Sequence, residues 1–144
     1  MKLMRQISSL FVRLAIGVSF LSAVADRFGF WGDFSQFQAY TAAKLNWFMP
    51  SAAIPALAWI STGAETLLGA ALIAGIYTRA AALLSGLLLL LFALSMSFAL
   101  GLEAPLSVSV FSASAGAFLL STCAEYPFSI DHLASRRQAR SQRT

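Results

Sequence analysis

The sequence predicts an all-α membrane protein: an antiparallel bundle of four transmembrane helices with an interfacial amphipathic segment in the first loop. Three observations carry that expectation. Of the 144 residues, 58% are hydrophobic and only 11% charged, far from the balance of a soluble domain. Several apolar stretches reach the roughly 20 residues that a helix needs to cross a hydrocarbon core about 30 Å thick. The basic residues gather on one side of those stretches. A soluble chain of this length would still expose about a third of its unfolded surface, so the excess of Leu, Ala and Phe would face water. Lipid is the solvent that matches it.

The first span is read at about residues 7–25, the second at 53–76, the third at 80–100 and the fourth at 105–123. Asp26 and Arg27 with Gly29 and Gly32 break the chain after the first, Tyr77-Thr78-Arg79 after the second, and Gly101 to Pro105 after the third, each with turn chemistry. Short connections make neighbouring spans antiparallel. The third span, with its run Leu87 to Leu91, is the most lipid-like. The fourth is diluted by Ser107, Ser109, Ser112, Ser114, Gly116 and Ser121, small residues that favour close helix contact. The first loop, 27–52, is rich in aromatics, and Phe34, Phe37, Tyr40, Leu45 and Phe48 recur at mostly helical spacing. That pattern predicts an amphipathic helix in the interface, with Trp31 and Trp47 as membrane-interface anchors. The simpler reading is an aromatic belt; the other is a lid over an outward-facing cavity. The bundle takes residues 1–135 and a basic tail takes 136–144.

Orientation follows from the positive-inside bias. Lys2, Arg5, Arg79, Arg136, Arg137, Arg140 and Arg143 fall on one side, against Arg27 and Lys44 on the other, which predicts cytoplasmic termini. Ala23-Val24-Ala25 resembles a signal-peptidase site, but Arg13 interrupts the apolar run before it, so the segment is read as a retained span. The net charge of +4 does not point to nucleic acid. Four of the ten basic residues crowd into the tail, with no aromatics interleaved, and anionic lipid headgroups are the expected contact.

Two ionisable residues, Arg13 and Glu65, fall inside the spans, where an unpaired charge costs about 2.5–3.5 kcal/mol on insertion scales. Ser9, Arg13 and Gly17 share one stripe of the first helix, and Ser61, Thr62, Glu65 and Gly69 one stripe of the second. The expectation is that Arg13 and Glu65 pair, either as a buried ion pair that fixes register or as the lining of a polar site for a quinone headgroup, a small anion or a proton. Arg79 is read as a topology anchor at the interface or a contact for lipid phosphate.

Arg13-Leu14, Glu65 followed by Leu68-Gly69, Gly75 and Thr78-Arg79, then Pro127 to Leu133 (PFSIDHL) before a basic tail, together resemble the DoxX family of small four-helix bacterial inner-membrane proteins. Ser129-Ile130-Asp131 stands where that family carries an SLD-like element. The resemblance implies an integral membrane subunit or scaffold of a larger, redox-linked assembly; it defines no cofactor, and a quinone is the candidate. Relatives are implicated in methylamine utilisation and in oxidative-stress complexes. A small-molecule binder or carrier built on the Arg/Glu site is the alternative, and a homo-oligomer or a protein partner is expected beside the bilayer.

An independent enzyme is not indicated. The chain has one cysteine and one histidine, so neither a dithiol nor a histidine-based metal site is expected. No nucleophile elbow or phosphate loop occurs. Cys123 reads as a small packing residue and His132 as a solvated tail residue.

Overall fold

The computed structural model describes residues 2–30, 33–45, 47, 49–123 and 126–131, and every regular element among them is helical. Helix α1 (Lys2–Ala25) runs on through a π-helical turn, Asp26–Phe30. Helix α2 (Phe34–Leu45) occupies the first loop. Helices α3 (Ile54–Ala74) and α4 (Thr78–Leu100) follow, then a short α5 (Glu103–Ser107) and α6 (Val110–Ser121). Three helical segments, Leu3–Gly29, Ser51–Ala74 and Thr78–Leu100, are long and apolar enough to cross a membrane. Their outward faces carry large apolar side chains, among them Phe11, Leu67, Leu91 and Phe98, as lipid-facing surfaces require. The chain is an all-α membrane protein.

Helices α3 and α4 overlap the stretches 53–76 and 80–100. The first span is longer than expected, because the turn chemistry of Asp26 and Arg27 does not end the helix: the backbone widens into a π turn and continues. The amphipathic helix forms as α2, capped at its start by Asp33, whose Oδ1 accepts from the Ser35 and Gln36 backbone N–H groups at 2.9 and 3.2 Å and from the Ser35 hydroxyl. Those bonds, the Ser35 hydroxyl foremost, hold the exposed Asp33 carboxyl below its ordinary range.

The fourth span differs from its expectation. It is broken at Ser109, whose φ of 58° is left-handed, leaving α6 only 12 residues long, about 18 Å. Its sequence explains the break. Val108 and Val110 are β-branched, and Ser107 turns its hydroxyl onto the Ala104 carbonyl at 2.9 Å, so the backbone meets both stiff side chains and a local competitor.

In the bundle α1 packs chiefly on α3 and α4 on α6, with α3 beside α4 and α1 beside α6. Ile16, Phe20, Leu72, Ala81, Ala82, Ala117 and Leu120 form the central core. Two close crossings set the geometry. Gly17 meets Gly69: a Cβ on Gly69 would stand 3.1 Å from the Gly17 carbonyl oxygen, and one on Gly17 would stand 2.8 Å from Ile73 Cγ1. Gly86 lies under the Phe118 ring, and the Ser114 hydroxyl donates to the Gly86 carbonyl at 2.8 Å, joining α6 to α4.

The Gly17–Gly69 crossing fixes the antiparallel register of α1 on α3. One turn before Gly17, Arg13 stands level with the end of α3; one turn before Gly69, Glu65 stands level with Leu21. Arg13 and Glu65 are therefore about 12 Å apart along the bundle axis, on opposite sides of the crossing.

Candidate functional site

Glu65 lies near the middle of α3 and is 1% exposed. Its partner is Arg27, in the π turn that follows α1 and about four turns beyond Arg13. Arg27 Nη2 donates to both carboxylate oxygens, at 2.8 and 3.0 Å, and Nη1 donates to the Thr62 hydroxyl at 2.7 Å. That hydroxyl in turn donates to the Ala58 carbonyl at 2.7 Å, which aims its lone pairs at the guanidinium. The Phe37 ring of α2 lies 4.2 Å from the guanidinium carbon, a cation–π contact. One arginine thus ties α1, α2 and α3 together. Beside it Phe28, Phe34 and Trp59 pack on one another, with ring centroids 5.3 Å apart for Phe28–Phe34 and 4.1 Å for Phe34–Trp59, anchoring α2 over the start of α3.

The expected Arg13–Glu65 pair does not form. Both residues are buried, as the stripe predicts, but the crossing register separates them, and each takes a different partner. Arg13, 2% exposed, turns to the opposite end of the bundle. Its Nη1 and Nη2 donate to the Pro127 and Phe128 carbonyls at 3.2 and 2.8 Å, while its Nε has no hydrogen-bond partner among the described residues. Those carbonyls belong to a segment docked across the α3–α4 turn. Asp131 accepts from the Tyr77 N–H (2.9 Å), the Thr78 N–H (2.7 Å) and the Thr78 hydroxyl (2.8 Å), and its own N–H donates to the Gly75 carbonyl at 3.1 Å. This carboxylate is a cap supplied from more than fifty residues away: it satisfies the first N–H groups of α4 and meets the positive end of its dipole. Desolvation raises its pKa, but the bonds from Thr78 and Tyr77 and the Arg13 charge outweigh that and hold the carboxyl below its ordinary range.

Gly75 is what lets the segment dock. It ends α3 with φ 70°, and a Cβ there would collide with Ser129 Cβ and stand 3.1 Å from Arg13 Nη1, so only glycine meets both demands. The marks read from the sequence as scattered (Arg13, Gly75, Thr78, Ser129 and Asp131) are one cluster in space.

Of the other expected site residues, Thr62 bonds Arg27 as described. Ser61 donates to the Ala58 carbonyl at 3.1 Å and not to the carboxylate. Gly69 serves the helix crossing. Trp47 and Arg79 are exposed, and Trp31, His132 and the tail 136–144 lie outside the described residues. Arg27 is the residue that sequence reasoning missed. Its nearness to the end of the first span was the available signal, masked by reading Asp26-Arg27 as a helix end. Among the described residues no group of three or more His, Cys, Asp or Glu is placed to hold a metal ion.

The arrangement is that of a bundle whose charges are neutralised internally at two levels. A family model described as methylamine utilisation protein MauE matches residues 5–107, a stretch that contains Arg13, Arg27, Thr62, Glu65 and Thr78 and stops short of α6 and Asp131. The matching model is that of MauE, and not of DoxX, the family the sequence motifs resemble. No curated protein and no solved structure matches the chain. A multi-pass apolar bundle, with a matched stretch covering well over half of its residues, belongs to the MauE family of membrane proteins.

Proposed function

We propose that this chain is a membrane subunit or scaffold of a redox-linked assembly, seated in a bacterial inner membrane with both termini in the cytoplasm. The family match carries the reading, because the family is described by its part in methylamine utilisation. The resemblance to DoxX supports the finer expectation of partnership with an oxidoreductase. The chemistry of the interior is in keeping with a supporting role: the Glu65 carboxylate and the Asp131 carboxylate are both engaged in bonds that join helices. The excess of basic residues at the terminal side supports the orientation. Purified from native membranes in a mild detergent through an affinity tag, the full chain should bring down a partner in stoichiometric amount. A chain that always purifies alone would remove the scaffold reading.

A second reading, a carrier or binder of a quinone or small anion, is favoured by one feature. The Arg27 side chain is 12% exposed whereas Glu65 is 2%, so the polar pair is approached from the α2 end beneath an aromatic cluster. Mass spectrometry of the lipid extract should then show a quinone retained by the wild-type protein and lost from Arg27→Gln. Equal extracts from the two would discard this reading.

A further inference from the structure

The docked C-terminal segment shapes the surface at its own end of the bundle. Tyr77 and Phe128 both hold left-handed backbone, with φ of 45° and 52°, a conformation that side chains with a Cβ seldom adopt. Both turn their rings outward: Phe128 is 83% and Tyr77 79% exposed, the highest values among the described large apolar residues. Ile130, two residues after Phe128, is 50% exposed. Asp131 joins the two strands of this surface, since it takes the Tyr77 N–H while its own N–H reaches Gly75. Arg79, also exposed, follows two residues after Tyr77 in the first turn of α4. Aromatic rings presented this way at the end of a membrane bundle lie at headgroup level, where an apolar body and a polar edge are both accommodated.

The charge of this end is one-sided. Among the described residues Arg5 and Arg79 are exposed at this end, and the Asp131 carboxylate is committed to capping α4. The net field here attracts anions. We propose that Tyr77, Phe128 and Ile130 form an interfacial platform that seats an anionic phospholipid, with Arg79 meeting its phosphate. The platform rests on the proposed cytoplasmic orientation of the termini for its place in the inner leaflet, but its choice of lipid does not depend on any protein partner. The aromatic and aliphatic side chains take the glycerol and upper acyl region, and the guanidinium forms charge-assisted hydrogen bonds to the phosphate oxygens.

The test uses the full chain alone in non-ionic detergent, so that its failure is separate from failure of the scaffold reading. Phosphatidylglycerol and phosphatidylcholine of identical acyl chains are titrated in, and bound lipids are counted by native mass spectrometry. The wild-type protein should prefer phosphatidylglycerol, and Arg79→Gln should weaken that preference about fivefold. Phe128→Asn, which keeps a residue tolerant of left-handed backbone, should lower retention of both lipids while helicity is unchanged. Lys44→Gln, at the opposite end of the bundle, should leave the preference as it is. Equal retention of the two lipids by the wild type, an unaltered preference in Arg79→Gln, or an equal loss in Lys44→Gln would each overturn the proposal. Full displacement of phosphatidylglycerol by millimolar inorganic phosphate would reassign the site to a free anion and overturn it as a lipid site.

Discussion

Replacing Arg27 by alanine is expected to destabilise the bundle by about 3–5 kcal/mol, more than truncation of either Glu65 or Asp131. The loss leaves the Glu65 carboxylate, 1% exposed, without the two hydrogen bonds that neutralise it. The mid-helix position of Glu65 keeps its short side chain from reaching water. The converse change, Glu65→Ala, should cost less. Arg27 would keep the Thr62 hydroxyl and the Phe37 ring, and its long side chain, already partly exposed at the α2 end, can reach the interface. This asymmetry is a signature of the observed pairing. A double-mutant cycle on unfolding in mixed micelles should return strong coupling between Arg27→Ala and Glu65→Ala and none between Arg13→Ala and Glu65→Ala. Coupling that appears with Arg13 instead would show that the register of α1 on α3 is wrong by about two turns.

Much of the fold was legible because bilayer physics leaves few choices. Length, hydropathy and the sidedness of the basic residues suffice to place the second and third spans, and the aromatic spacing of the first loop suffices for α2. The burial of Arg13 and Glu65 was also legible, since a charge inside a span is driven to the protein interior. What the sequence did not disclose was register. Both residues lie on small-residue stripes, and those stripes carry the Gly17–Gly69 crossing, but a stripe says which faces meet, not how far one helix slides along the other. An error of a few residues in where α1 meets the membrane changed the assigned partner. The π turn at Asp26–Phe30 was hidden for a related reason: Asp and Gly are read as helix breakers, whereas here the helix widens and continues, and Arg27 within that turn bonds Glu65. The fourth span failed on a weaker signal, because serines that promote close packing also compete for backbone carbonyls. The docking of Asp131 on α4 joins residues 53 and 54 positions apart, and no local pattern announces such a contact.

Removing that distant cap is expected to have the second-largest effect. Asp131→Ala deletes three hydrogen bonds to the start of α4, leaves two N–H groups without that acceptor, and takes away a carboxylate whose charge acts on the Arg13 guanidinium. Cap removal alone costs about 1–2 kcal/mol, and charge-assisted bonds lie at or above that range, so a loss of about 2–3 kcal/mol is expected. The pH dependence identifies the cause. Because the folded-state pKa of Asp131 is depressed, its contribution is fully present above the ordinary carboxylate range and declines as the pH falls through that range and on through the folded value. The wild-type unfolding midpoint should therefore drop below about pH 4, and Asp131→Asn should lower the midpoint at neutral pH while flattening the acid limb. Gly75→Ala supplies the steric counterpart: its Cβ meets Ser129 directly and crowds Arg13 Nη1 at 3.1 Å, expelling the segment without removing a charge. It should lower stability to a similar extent, and in it Asp131→Asn should have little further effect, since the carboxylate no longer reaches α4. Full additivity of those two substitutions would mean that the docked segment and the α4 cap are independent features, and that the cluster formed by Arg13, Gly75, Thr78 and Asp131 does not act as a unit.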